Sequence, residues 1–248
     1  MRGIIFKLMC TACHVFETDQ ALGEIVIYSS LLINRCQQSC EKPMDPMQLS
    51  SKDALLIVDV QNDFLPGGNL PVPAGDQVIP VLNRYIAAFA RQSLPIFATR
   101  DWHPASNCSF RAQGGIWPPH CVAGSKGAEL AALLNLPPGA VIVPKATAVE
   151  KDAYSGFDGT DLAIRLHASG SERLFIGGLA TDYCVLNTVK DALSQGFAVM
   201  LLLDAIRAVD LHPGDGRAAI AQMIELGARP LQFSELADGA APHTLRDR

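Results

Sequence analysis

From Asp53 onward, apolar residues fall into short continuous runs that alternate with stretches of helical spacing. Ala54–Val60, Leu94–Thr99, Ala140–Pro144, Arg173–Gly178 and Ala198–Asp204 are rich in Val, Ile and Leu. They lack the polar alternation of a half-exposed strand, so they predict strands buried on both faces. Between them, apolar positions three and four apart predict helices at about 75–92, 126–135, 159–169, 183–195 and 215–227. Gly170, Gly196 and Gly227 stand where these helices should end, because glycine takes the left-handed backbone of a C-cap without steric cost. A short last strand is expected near Pro230–Phe233. The repeated strand–helix order implies an α/β fold: a doubly wound, mainly parallel sheet with right-handed crossovers and helices on both faces. In such folds the ligand lies beyond the carboxyl ends of the strands.

Residues 1–52 show no sustained period and close on the cluster Pro43-Met44-Asp45-Pro46-Met47. The chain therefore divides into an N-terminal extension, 1–52, and a folded domain, 53–248. The first 43 or so residues are expected to be a poorly ordered, dispensable tail or a mis-assigned start, with Met44 and Met47 just upstream of the first strand.

Composition narrows the function classes. At 248 residues the chain can bury one full α/β core. A net charge of −5 gives no electrostatic reason for nucleic acid or an anionic membrane as partner. The apolar run Ile25–Ile33 is too short to span a bilayer, and it follows Glu17, Asp19 and Glu24 where a signal peptide would be basic. A soluble, cytoplasmic protein is expected. Seven cysteines cannot all pair. Cys10, Cys13, Cys36 and Cys40 have zinc-like spacing, but no glycine knuckle follows either pair, and a four-thiolate site there is disfavoured.

Chemistry-bearing residues stand at the predicted strand ends. Leu174 to Val185 reads as a buried strand, a glycine pair, a turn and a helix with Cys184 in its first turn. A helix N-terminus offers unpaired N–H groups and partial positive charge, which favour a thiolate and can hold an oxyanion. Asp59 directly follows the first apolar run; poor solvation there raises a carboxyl pKa and suits a general base. Asp63, further into the loop, reads as an ordinary loop or capping carboxylate. Asp101 and His103 are two apart on an extended segment and point the same way. With His120, framed by Pro118 and Pro119, they would form a one-carboxylate, two-imidazole metal site with open positions. Lys145 ends the third strand, where it could stabilise a thiolate and a carboxylate. Tyr154 and Phe157 sit in a nearby turn.

Together, Asp59–Phe64, Asp101–Pro104, Trp117–Val122, Lys145 and Ala180–Val185 resemble the nicotinamidase/pyrazinamidase branch of the isochorismatase-like cysteine hydrolases. The resemblance runs over roughly residues 53–235, about three quarters of the chain. It implies a catalytic triad of Asp59, Lys145 and Cys184, an oxyanion hole from the N–H groups of Ala180 and Cys184, and a cis peptide before Ala180. It implies one divalent metal on Asp101, His103 and His120, zinc first, with iron or manganese as alternatives. It also implies that Phe64, Trp117 and Tyr154 pack around the substrate ring. The activity so implied is hydrolysis of nicotinamide, and of pyrazinamide, to the acid and ammonia through a Cys184 thioester, in NAD salvage. A homo-oligomer is left open. Some relatives carry a further His after the D-x-H pair; here Ala105-Ser106-Asn107-Cys108-Ser109 stands instead, which leaves Ser109 or water for the fourth position. The alternatives are a sibling hydrolase acting on another small acyl compound, against which the metal residues speak, and a non-enzymatic module, against which Asp59, Lys145 and Cys184 speak.

Overall fold

The structure, a computed structural model, describes residues 46–237. The predicted Cys10, Cys13, Cys36 and Cys40 cluster and the first 45 residues of the expected extension lie outside the described residues. Six strands form one sheet: β1 (Asp53–Val58), β2 (Ile96–Asp101), β3 (Val141–Lys145), β4 (Arg173–Leu179), β5 (Ala198–Arg207) and β6 (Arg229–Leu231). Every pairing is parallel and the order is β3-β2-β1-β4-β5-β6. The chain thus winds one way from β1 to β3 and the other way from β4 to β6, so the topological switch point lies between β1 and β4.

β1 shows why its sequence is a continuous apolar run. Leu55 and Ile57 enter one core with Val78, Leu82, Tyr85 and Phe89 of helix α1 (Val78–Arg91). Ala54, Leu56 and Val58 enter the opposite core, with residues of α2 (Leu162–Ala168), α3 (Leu186–Ser194) and α4 (Asp215–Glu225). Successive side chains of a strand point to opposite faces, and both faces here are covered by helices. At the sheet's amino edge the Arg173 guanidinium meets the buried Asp53 carboxylate through two bonds of 2.7 Å. That fork fixes the Asp53–Arg173 register of β1 on β4. Just upstream, Met47 forms a parallel bridge with Leu236. Among the described residues, no helix is long and apolar enough to cross a membrane.

Two sequence expectations change. The predicted helix at 126–135 is a single tight turn, Lys126–Ala128, followed by irregular chain. Its backbone bonds go elsewhere: Asn62 N–H donates to Glu129 O, Ala131 N–H donates to Val60 O, and Gln61 bridges Leu130. Apolar Ala128, Ala131 and Leu134 still face the core, which produced the helical spacing without a helix. The glycine pair does not end β4, which runs on to Leu179. Gly178 instead permits close approach, since a Cβ there would lie 2.1 Å from Val58 O.

Candidate active site

The site forms where β1, β2, β3 and β4 end. Asp59 follows β1 with a left-handed backbone (φ 48°) and is fully buried. One carboxylate oxygen, Oδ1, accepts a 2.7 Å hydrogen bond from Thr99 Oγ1. The other, Oδ2, stands 2.9 Å from Lys145 Nζ as an ion pair without an aligned hydrogen bond. Lys145 Nζ also donates to Asp101 Oδ1 and to Ala153 O (2.9 Å), and lies 3.5 Å from Cys184 Sγ. Cys184 sits in a π-helical turn, Thr181–Val185, that leads into α3. Within that turn Val185 N–H reaches back to Ala180 O. The Leu179–Ala180 peptide is cis. Asp59, Lys145 and Cys184 are thus brought together at the sheet's switch point.

Burial governs the electrostatics. It pushes the Cys184 thiol well above its ordinary range; Lys145 pulls the other way, and Asp59 and Asp101 add to the rise. The thiolate that a helix N-terminus was expected to favour is therefore not the resting form, because the sulfur is desolvated beside two carboxylates. Burial raises Asp59 as well, against the opposing pull of Lys145. For Lys145, burial favours the neutral amine, but Asp101 and Asp59 outweigh it and hold the group charged. For Asp101, burial is likewise outweighed, by Lys145 and His103, and its carboxyl is held below the usual range.

The metal candidates are also assembled. Ligand atoms of Asp101, His103 and His120 lie within 4.8 Å of one another, all buried. His103 Nδ1 and Nε2 have no hydrogen-bond partner, and neither has the buried Ser109 Oγ. A fully buried imidazole with both nitrogens unpaired fits a metal ligand, since buried polar groups are otherwise satisfied. His120 Nδ1 lies 2.8 Å from Pro118 O. A carbonyl can only accept, so Nδ1 carries the hydrogen and Nε2 keeps its lone pair. Burial lowers the His120 pKa, which favours the neutral, ligating imidazole. The donor set supports a divalent cation.

Phe64, Trp117, Tyr154, Ala180 and Cys184 line one pocket, with Asp101 and His120 at its polar side. Trp117 Nε1 donates to Tyr154 Oη (3.0 Å), and Tyr183 packs on both rings. Burial raises the Tyr154 phenol to about 12, so it stays neutral.

Several participants escape sequence reading. Leu70, Val72, Tyr183 and Val209 complete the pocket wall. Gln61 is fully buried and clamps Asp101: its Oε1 accepts from Asp101 N–H and its Nε2 donates to Asp101 O, both at 2.8 Å. Asp63 is no ordinary loop carboxylate; it is buried and accepts from Cys121 N–H (2.7 Å) and Asn69 N–H (3.1 Å). The only sequence signal for Gln61 and Asp63 is their place just after Asp59.

Comparison with known proteins places these features. A sequence model of the isochorismatase domain matches residues 53–235. The nicotinamidase of Escherichia coli (strain K12) is 38% identical over 196 residues, covering 71% of this chain and 92% of its own. The nicotinamidase/pyrazinamidase of Mycobacterium tuberculosis (strain H37Rv) is 36% identical over 164 residues, covering 63% and 87%. Among solved structures, the pyrazinamidase of Pyrococcus horikoshii in complex with zinc superposes with a TM-score of 0.71 at 49% identity, covering 73% of this chain and 99% of that one. An L. infantum protein in complex with nicotinate gives a TM-score of 0.71 at 38% identity, covering 77% and 98%.

Proposed function

The chain belongs to the isochorismatase family, and from that membership we propose that it is a nicotinamidase, hydrolysing nicotinamide to nicotinic acid and ammonia. Pyrazinamide, with the same carboxamide on a six-membered nitrogen ring, is the second substrate. One observation carries the reading: the buried Asp59, Lys145 and Cys184 cluster opens onto the same aromatic pocket as the Asp101 and His120 donors. Relatives at 38% and 36% identity with that activity in their names support it.

The Cys184 thiol gives its proton to Asp59 as the sulfur attacks the carboxamide carbon. Lys145 offsets the negative charge that builds on this buried pair. The N–H groups of Ala180 and Cys184 hold the oxyanion. When it collapses, the C–N bond breaks and ammonia leaves with the proton returned from Asp59. Asp59 then takes a proton from water, whose oxygen attacks the thioester; the C–S bond breaks, nicotinic acid leaves and the proton goes back to sulfur. A raised Asp59 pKa suits a group that must both take and return a proton near neutrality.

Asp101, His103 and His120 would hold a divalent metal, zinc first, with iron or manganese as alternatives. When bound, it would supply Lewis acidity for orienting the ring nitrogen. Phe64, Trp117 and Tyr154 pack against the ring and exclude water, so the carboxamide is presented to Cys184 in one orientation. The product feeds pyridine nucleotide recycling.

The test is ammonia release from nicotinamide by the metal-loaded protein, beside Cys184→Ala and a chelator-stripped sample. Release should vanish in both controls. A folded, metal-loaded protein that releases none would instead be a sibling hydrolase with another acyl substrate.

A further inference from the structure

Thr99 lies on β2, two residues before Asp101, and is fully buried. Its hydroxyl donates to Asp59 Oδ1 at 2.7 Å. Its methyl is equally constrained: a Cβ placed on Gly156 would lie 2.8 Å from Thr99 Cγ2 and 3.3 Å from Leu162 Cδ2. Gly156 is itself anchored, its N–H donating to Thr188 Oγ1 at 2.9 Å. Exchanging methyl and hydroxyl about Cβ would strip Asp59 Oδ1 of its donor. β-branched residues already have few rotamers, and packing leaves this one.

Asp59 needs such a partner. Its backbone leaves β1 at φ 48°, and a lone carboxylate on that turn could rotate about its own side-chain bonds. With Oδ1 held by Thr99, Oδ2 remains as the acceptor free of any aligned hydrogen bond. It stands on the side of Lys145 Nζ, which is 3.5 Å from Cys184 Sγ.

We propose that Thr99 is a positioning residue for the Asp59 base: methyl wedged against Gly156 and hydroxyl on Oδ1 fix the carboxylate plane, so that Oδ2 handles the Cys184 proton in both halves of the reaction. This rests on the amidase reading above. Thr99 is not among the residues lining the pocket and acts only through Asp59.

Steady-state ammonia release by the full-chain, metal-loaded protein tests it. Thr99→Val keeps the shape and removes the donor. Its kcat should fall about tenfold or more, the scale of one hydrogen bond to a charged group, with KM within about twofold. Thr99→Ser keeps the donor but not the methyl wedge, so its kcat should lie between Thr99→Val and wild type. A wild-type kcat in Thr99→Val overturns the proposal and leaves packing as the residue's only role. So does a Thr99→Ser no better than Thr99→Val, since the hydroxyl would then hold Asp59 no better than the methyl alone. If Thr99→Val does not fold, Thr99→Ala replaces it under the same two criteria. If the wild type releases no ammonia, the amidase reading fails by itself. The Thr99 inference is then judged on alkylation of Cys184 by iodoacetamide at pH 7, which also needs the thiol proton removed. Slowing by a similar factor in Thr99→Val supports it, and an unchanged rate overturns it.

Discussion

Lys145 and Asp101 are paired residue for residue across β3 and β2, and the Lys145 ammonium donates to Asp101 Oδ1. The other carboxylate oxygen, Asp101 Oδ2, stands 3.7 Å from His103 Nε2. One side chain therefore belongs to both halves of the site, to the proton-transfer cluster through Lys145 and to the metal candidates through His103. It can serve both because it stays ionised despite burial. The proposed catalytic and metal residues are in this way parts of one polar network.

Removing the shared cation should be costly and pH-dependent. Lys145→Met leaves the Asp59 and Asp101 carboxylates buried without their counter-charge, a loss of about 3–5 kcal/mol at neutral pH. Without Lys145 the already raised Asp59 pKa climbs further, and Asp101 loses the main charge that holds its own down. The folded state then keeps its stability only where the carboxyls are protonated and loses it as pH rises. The deficit against wild type should therefore be smaller at pH 5 than at pH 8. Urea unfolding at the two pH values checks this; an equal deficit at both would contradict the buried ion cluster.

Cys184 should behave as a resting thiol. Burial pushes its pKa well above the ordinary value, so the thiolate fraction of the free protein is small at neutral pH. Alkylation by iodoacetamide should climb about tenfold per pH unit from 7 to 9, without levelling near the usual thiol value of about 8.5. At pH 7, Cys184 should label more slowly than the half-buried Cys108. Timed labelling with peptide mapping gives both rates. A plateau below pH 8 would mean a depressed thiol, and the picture of proton transfer on substrate attack would be lost.

The parts legible in the sequence share a physical reason. Parallel strands buried on both faces read as unbroken apolar runs, so β1 to β5 were visible. Because such sheets bind ligands at their carboxyl ends, Asp59, Asp101, Lys145 and Cys184 marked themselves by position. What stayed hidden depends on contacts between distant segments. Gln61 bonds the Asp101 backbone 40 residues away, and Asp63 bonds Cys121 N–H 58 residues away. Nothing local distinguishes them from loop residues. The 126–135 segment misled for the same reason: its apolar spacing is helical, while its backbone bonds go to Val60 and Asn62.

Metal binding should stabilise the fold as well as support turnover. The two unpaired nitrogens of His103 are a desolvation cost that an ion relieves in part. A divalent ion at a hundredfold excess over its Kd adds about 2.7 kcal/mol. Zinc, iron or manganese added to stripped protein should raise Tm, and His120→Ala should abolish both the rise and the metal retained on gel filtration. Elemental analysis of protein as purified names the ion. A Tm indifferent to all three metals, with none retained, would refute the Asp101, His103 and His120 assignment.

Asp63 gives a test at a residue that is not itself a proposed ligand. Its Oδ2 accepts from Cys121 N–H at 2.7 Å, directly after His120, and a Cβ on Gly127 would come within 2.1 Å of the same oxygen. Gly127 is thus the gap that lets the carboxylate reach the metal loop. In Gly127→Ala the carboxylate must move, leaving a buried N–H unpaired at a cost of about 1–3 kcal/mol. In Asp63→Asn, one oxygen is replaced by a donor, so the two bonds to Cys121 and Asn69 cannot both survive. Both variants should lose stability and bind metal more weakly, although neither residue is a proposed ligand. Gly139→Ala, where the added Cβ meets nothing within 4 Å, is the control and should do neither. Metal affinity by competition with a chelating dye separates the outcomes. If Gly127→Ala loses stability but keeps wild-type affinity, Asp63 braces the loop without setting the position of His120.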